Sequence, residues 1–128
     1  MDKKIPKPSD SEMEVLQLLW ELGPLTVRDV HERLNKKKDV GYTTTLKVMQ
    51  RMLEKDLLKR DKTERSHLYE AAIAEEETQI ELLDRFLNSA FGGSSLKLVM
   101  SALGNKSTSK EDLLKIREHL DKIERSNK

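Results

Sequence analysis

The chain has 128 residues, of which 37% are charged, 36% hydrophobic and 4% aromatic; it contains no cysteine and its net charge is +1. This length excludes a large multidomain enzyme, and the lack of cysteine excludes a disulfide framework, a thiolate metal site and a thiol nucleophile. Strand-forming residues are too sparse for an all-β fold, so the composition favours a helix-rich chain with much solvated surface.

The N-terminal part of the chain predicts two helices. Ser9 is followed three residues later by a glutamate, a pattern typical of a capping box, and a wide apolar face then runs to Gly23-Pro24. We therefore expect a first helix over about 10–22. Thr26 can cap a second, shorter helix that ends near Asn35.

A third amphipathic helix is predicted over 42–55. Its apolar positions, Leu46, Met49, Met52 and Leu53, recur at helical spacing, whereas hydroxyl, amide and cationic side chains project elsewhere. Among the hydroxyl residues, Thr45 is nearest the apolar side and is expected to be structural.

A hairpin is predicted after the third helix. Two short segments, 57–60 and 67–70, flank the polar run 61–66 and are too short for another helix, so two strands fit best. Tyr69 is expected to be half-buried in this hairpin. Trp20, which lies among the leucines of the first helix, is expected in the core.

Residues 74–128 predict three more helices. A long one begins at Glu75 and ends at Gly92-Gly93, a short one ends at Gly104-Asn105, and the last begins after Ser109. Apolar residues recur at steps of three and four, and on the last helix they form a narrow seam suited to packing against another helix. The candidates for this packing are Ile80, Leu83, Leu87, Phe91, Leu96, Leu113, Ile116, Leu120 and Ile123.

Three helices followed by a hairpin within about 65 residues is the plan of a winged helix-turn-helix. The predicted fold is therefore mainly α: a winged helix-turn-helix domain with three helices and a β-hairpin wing over 1–73, and a helical region over 74–128. In this plan the third helix enters the DNA major groove, and the wing, residues 60–67, reaches the neighbouring backbone or minor groove.

The charge distribution fits that plan. Arg33–Arg65 holds 11 Lys and Arg against 5 Asp and Glu, an excess of six, although a solvated face would have the same composition. Threonine can bond phosphates or base edges, and cations reach phosphates or guanine. The predicted contacts to double-stranded DNA are Tyr42, Thr43, Thr44, Lys47 and Arg51 in the third helix, Lys38 before it, and Arg60, Lys62 and Arg65 in the wing.

Catalysis finds little support in the sequence. His31, His67 and His119 belong to three separate elements, and no metalloprotease, nucleophile-elbow or phosphate-loop motif occurs. We predict no enzyme activity, no metal and no cofactor. The alternatives left open are a winged-helix protein-interaction module without DNA binding and a small metal-dependent enzyme.

The sequence also predicts a protein without membrane insertion. No segment approaches the roughly 18–20 consecutive apolar residues that a membrane span needs, and residues 1–10 lack the apolar core of a signal peptide. Together with the absence of cysteine, this predicts a cytoplasmic location.

Several segments resemble the penicillinase-repressor family, which comprises BlaI and MecI together with the related copper-responsive CopY repressors. The resemblance covers nearly the whole chain in the right order. It is carried by Ser9–Trp20 (SDSEMEVLQLLW), Leu25–Val30 (LTVRDV), Gly41–Leu46 (GYTTTL), Phe91–Ser94 (FGGS) and Ser109–Leu114 (SKEDLL).

The resemblance implies a repressor that binds palindromic operator DNA as a homodimer, with the C-terminal helices forming the dimer. Tyr42, Thr43, Thr44, Lys47 and Arg51 match the recognition-helix positions of the family, and Arg60 to Arg65 match its wing. In family members, repression is relieved when a membrane-bound sensor metalloprotease, triggered by a β-lactam, leads to cleavage in the dimerisation region.

The chain departs from both branches of that family. No Asn-Phe dipeptide, the bond cleaved in β-lactam-responsive members, occurs, and Val99-Met100 stands at its position. Cysteine-based copper sensing is excluded. Asp56 occupies a position at the end of the third helix where relatives commonly have glycine, which predicts some strain in that turn. The resemblance therefore predicts a repressor and leaves its inducing signal, operator and regulated genes open.

Overall fold

The computed structural model describes residues 7–63, 65–105 and 108–127. Of the predicted wing, Glu64 lies outside the described residues. The elements in chain order are α1 (Asp10–Leu22), α2 (Val27–Asn35), α3 (Tyr42–Glu54), β1 (Leu58–Asp61), β2 (Leu68–Ala71), α4 (Glu75–Phe91), α5 (Ser95–Asn105) and α6 (Lys110–Ser126). The predicted mainly α winged-helix fold is confirmed, with both strands starting one residue later than expected.

Side-chain caps explain where the helices begin. The Ser9 hydroxyl accepts a hydrogen bond from the Glu12 amide, and the Glu12 carboxylate accepts one from the Ser9 amide. Thr26 and Asp29 form the same reciprocal pair at the start of α2. Both capping boxes satisfy amides that have no partner within the helix.

The core lies where α1, α2, α3 and the hairpin meet. Trp20 is half-buried and its Nε1 donates a hydrogen bond to the Ile73 carbonyl oxygen at 3.0 Å, which ties the segment after the hairpin to α1. Thr45 is 1% exposed, as expected for a structural position. The buried apolar residues are Val15, Leu16, Leu19, Val27, Val30, Leu34, Met49, Met52, Leu57, Leu58 and Tyr69.

A Schellman motif ends α3. The Leu57 amide donates to the Met52 carbonyl oxygen at 2.9 Å, and the Asp56 amide donates to the Leu53 carbonyl oxygen at 3.2 Å. Asp56 has a φ of 62°, in the left-handed region that glycine occupies most easily. The strain expected at this aspartate is therefore present, and Met52 and Leu57 make the buried apolar pair that accompanies the motif.

The hairpin packs more tightly than its sequence suggested. Antiparallel pairing places Arg60 opposite Tyr69. An isolated β-bridge pairs Leu25 with the other edge of β2 at Tyr69. Tyr69 is only 4% exposed, so the expectation of a half-buried side chain is wrong. The added bridge holds Tyr69 against the core, which the local alternation of residues could not reveal.

The described residues form two compact units that divide within α4, between Leu83 and Asp84. Thr78, in the first turn of α4, is fully buried and its hydroxyl donates to the Ala74 carbonyl oxygen at 2.7 Å. In α6 no described residue is buried. None of the described helices combines the length and apolarity that a bilayer crossing requires.

Candidate nucleic-acid interface

The exposed face of α3 carries four of the residues that the sequence assigned to DNA, together with Gln50. Thr43, Thr44, Lys47 and Arg51 are exposed, as is Gln50. Their spacing of three and four residues puts them on one side of the helix, which we call the recognition face. Hydroxyls at its N-terminal end and cations further along give it hydrogen-bonding groups and positive charge.

The opposite side of α3 is anchored in the core. Met49 and Met52 are fully buried, and the Thr45 hydroxyl lies 3.5 Å from the Gly41 carbonyl oxygen in the first turn of the helix. Because both ends of α3 are tied to buried groups, the recognition face is presented on a rigid support. Rigid elements hold recognition groups more accurately than loops do.

His31 on α2 supports the N-terminal turn of α3, a role that the sequence analysis missed. Its ring meets the Tyr42 ring edge to face, with centroids 5.5 Å apart and planes at 82°, and its Nδ1 lies 3.4 Å from the Thr45 hydroxyl. The last turn of α2 and the loop 36–41 separate His31 from Tyr42 in the sequence, so no local pattern signals the contact. Tyr42, which is 45% exposed, therefore lies at the start of α3 with one side of its ring packed against His31.

Lys38 is engaged in an ion pair with α1. Its Nζ lies 2.6 Å from a carboxylate oxygen of Glu14 on α1. A cation paired in this way has part of its charge neutralised before any DNA arrives. Lys38 therefore differs from Lys47 and Arg51, which form no ion pair with any described residue.

The three predicted wing cations lie in different environments. Lys62 and Arg65 are exposed in the loop between the strands. Arg60 lies opposite Tyr69 in the hairpin, so their side chains are on the same face of the sheet. The Arg60 Nε is buried and has no hydrogen-bond partner among the described residues. Asp61 accepts a hydrogen bond from the Thr63 amide at 2.9 Å, which lowers the pKa of its carboxyl and keeps it ionised beside Lys62.

An open groove separates the recognition helix from the wing. It has a volume of about 570 Å³. Of its basic side chains, Arg65 was a predicted DNA contact, whereas Arg28 and His67 were not. The full lining comprises Thr26, Val27, Arg28, Tyr42, Leu46, Arg65, Ser66, His67 and Tyr69.

The candidate dimerisation residues are largely uncovered within their own unit. Leu96 is 71% exposed and Leu120 56% exposed, and Leu87, Phe91 and Ile116 are half-buried. Phe86, Val99 and Met100, which the sequence analysis did not assign to dimerisation, are exposed as well. The remaining exposed candidates are Ile80, Leu83, Leu113 and Ile123.

In the ranges that the structure describes, no three His, Asp or Glu side chains come together as a ligand set.

Comparison with known proteins places this architecture in a family. The family model described as "Penicillinase repressor" matches residues 8–122. The chain belongs to the penicillinase repressor family. Its curated relatives include the penicillinase repressor of Staphylococcus aureus, 24% identical over 96% of this chain and 98% of the relative, and that of Bacillus licheniformis, 30% identical over 87% of each.

A solved structure of the same family is similar to the N-terminal part of the chain. It is the monomeric form of Bacillus licheniformis BlaI in complex with the blaP half-operator, which matches with a TM-score of 0.52 and 29% identity. The match covers 59% of this chain and 93% of that structure. This repressor family therefore includes a member whose winged helix was solved on DNA.

Proposed function

We propose that this protein is a transcriptional repressor that binds palindromic operator DNA as a homodimer and so blocks transcription from a promoter. The recognition face of α3 would enter the major groove, and the wing would contact the adjacent backbone. Tyr42, Thr43 and Thr44 would read or bond the DNA at the helix start, with Lys47 and Arg51 further along. We propose the cytoplasm as its place of action because operator DNA is found there.

The observation that carries this proposal is the orientation of α3. Its hydroxyl and cationic side chains are exposed together, whereas its methionines fill the core. Because the recognition face is not packed against the rest of the domain, it is available to enter a major groove about 12 Å wide. Membership of a family whose relatives are named as repressors, not enzymes, supports the same function.

Dimerisation through the C-terminal helices supplies the second half of the proposal. Leucines and isoleucines on α6 recur at positions 113, 116, 120 and 123, which is the spacing of a helix-pairing seam; 113, 120 and 123 are exposed and 116 is half-buried. A single small module makes few contacts with DNA, so tethering a second module turns its binding into an intramolecular step with a large gain in avidity. Two-fold symmetry of the protein then demands two matched half-sites.

Release of DNA would follow from separating the two C-terminal arms. Cleavage within α5, with a membrane-bound sensor metalloprotease as the partner, is the route that the family resemblance suggests. Val99 and Met100, which stand at the family cleavage position, are 46% and 62% exposed. Intact-mass analysis of the protein after induction would reveal a fragment ending at Val99 if this route operates.

Selection of bound sites from a random duplex pool tests the proposed function directly. We expect a palindrome with two half-sites separated by about one helical turn, or a multiple of it. Affinity for the selected duplex should fall steeply between low and moderate salt because phosphate contacts release counterions. Failure to enrich any sequence, with a flat salt dependence, would favour the protein-interaction module instead.

A further inference from the structure

We infer that the groove between α2, α3 and the wing binds a phosphodiester of the operator backbone, with Arg28 and Arg65 as its cationic ligands. This inference rests on the proposed function and adds a binding site on α2 to it. Arg28 belongs to neither the recognition face nor the wing, so the site extends the DNA contact surface to a third element.

The position of the groove follows from the width of the major groove. A helix with its side chains is about 10–12 Å across and therefore fills a groove of about 12 Å. Elements that flank such a helix meet the sugar-phosphate strand at the edge of the groove, not the base edges. Tyr42 and Leu46 form the α3 wall of our groove, and Thr26 to Arg28 and Arg65 to His67 form its flanks.

The charge of the lining fits an anion. Its described residues include two arginines and a histidine, together with the hydroxyl residues Thr26 and Ser66, but no aspartate or glutamate. Neither Arg28 nor Arg65 forms a salt bridge with any residue in the described ranges. Arginine offers several N–H donors in a fork that matches phosphate oxygens, so two unpaired guanidinium groups on one open groove favour a phosphate ligand.

A neighbouring depression provides the contrast. The depression between α1 and α2 is lined by Glu14 and Glu21 as well as Arg33 and Lys37, so its charges balance. Arg28 and Arg33 both lie on α2 and both are exposed, yet only Arg28 lines the cationic groove. The two arginines therefore form a matched pair for an experiment in which the helix and the charge change are the same.

The first test compares R28Q with R33Q in the full-length protein on the selected operator. We expect R28Q to weaken binding and to lower the slope of log affinity against log salt by about 0.9 per protomer, the value for one lost phosphate contact. R33Q should leave the slope at the parental value. Equal slopes for R28Q and the parent would overturn the inference, and thermal unfolding of both variants checks that the fold is retained.

The second test locates the phosphate. Operators carrying a single neutral methylphosphonate at successive backbone positions are titrated with parent and R28Q. At one position per half-site, we expect the substitution to weaken the parent but to have little further effect on R28Q. Additive losses at every position would show that Arg28 contacts no particular phosphate and would overturn the inference.

A free anion is the other source of the same chemistry, and inorganic phosphate is the probe for it. At constant ionic strength, we expect phosphate to bind the free protein without saturation in the millimolar range and to leave the operator complex intact. Saturable binding that R28Q abolishes, accompanied by release of DNA, would make the groove an effector site and overturn the backbone assignment. If the parent shows no salt-dependent DNA binding, the proposed function fails; if K47Q flattens a steep slope and R28Q does not, only this inference fails.

Discussion

Glu12 and Lys55 form an ion pair that joins the start of α1 to the end of α3. The residue Glu12 is 3% exposed, and its carboxylate accepts a hydrogen bond from Lys55 Nζ at 3.0 Å while it also caps α1. Lys55 follows the last turn of α3, so this contact fixes the C-terminal end of the helix that carries the recognition face. Because this contact needs an ionised Glu12, the attachment of α3 to α1 depends on the charge of the Glu12 carboxylate.

That ionisation makes the stability of the domain sensitive to acid. Burial acts to raise the pKa of Glu12, but the Ser9 amide and Lys55 outweigh it, so the pKa lies below its ordinary value of 4.5. A lowered folded-state pKa stabilises the fold above the ordinary value, and this contribution is lost as the pH falls below it. We expect Glu12→Gln to reduce the free energy of unfolding at pH 7 by about 1–3 kcal/mol and to flatten its loss in acid.

Glu14→Gln is the matched control for this measurement. Glu14 also lies on α1 and pairs with a lysine, but its side chain is 34% exposed, whereas that of Glu12 is 4% exposed. An exposed ion pair contributes about 0–1 kcal/mol. Urea unfolding of both variants between pH 3 and pH 7 should therefore separate them, and identical curves would contradict the role given to Glu12.

Asp56 offers a prediction in the stabilising direction. Its φ of 62° suits glycine better than a residue with a side chain, and its carboxylate accepts no hydrogen bond from the described residues that would offset the conformation. We expect Asp56→Gly to raise the free energy of unfolding by about 0.5–1 kcal/mol, because left-handed backbone costs other residues about 1–2 kcal/mol. Asp56→Val should lower it, and chemical denaturation monitored by circular dichroism measures both; a stabilising valine would contradict the strain.

The recognition face predicts two kinds of DNA-binding defect. Loss of Thr44 should reduce the discrimination between the selected operator and unrelated duplex, since its hydroxyl and methyl are suited to base edges. Loss of Lys47 or Arg51, if directed to phosphate, should weaken both duplexes alike and reduce the salt slope by about one per contact. Lys38→Gln should have a smaller effect because Lys38 is paired with Glu14.

Fluorescence-anisotropy titrations of each variant with both duplexes, over a salt series, make this measurement. Glu54→Gln, at an exposed position at the end of α3, serves as a surface control on the same helix. Parental binding by the Thr44, Lys47 and Arg51 variants together would mean that another surface contacts DNA.

The seam on α6 predicts a change of oligomeric state. Leu120→Glu should place a charge within an apolar helix pair and shift the protein from dimer to monomer, with weaker binding to a two-half-site operator but unchanged binding to one half-site. Lys122→Gln alters the net charge by the same amount on a different side of α6. Sedimentation equilibrium distinguishes the two, and a Leu120→Glu variant that remains dimeric would contradict the seam.

Local patterns were sufficient for the secondary structure and for the recognition face. Ser9, Thr26 and Ser109 marked helix starts correctly because a cap is a contact between residues three apart in the chain. The exposed hydroxyls and cations of α3 followed from the 3.6-residue period, which fixes the side opposite the buried methionines. Both inferences need only neighbours along the chain.

Contacts between distant segments escaped the same reasoning. Tyr69 pairs with Leu25 across α2, α3 and β1, and Tyr42 contacts His31 across the loop between α2 and α3. The groove that collects Arg28 and Arg65 exists only because α2 and the wing pack on the same flank of α3.

The sequence by itself determined the order of the elements, their caps and the chemical character of each helix face, because these depend on short-range spacing and on which side chains avoid water. Tertiary structure decided which cations share a surface and which are already paired, as with Arg28 beside the wing and Lys38 against Glu14. Charge interactions act over distances of a few ångströms in space, and residues 24 or more positions apart reach that range only after the core has closed.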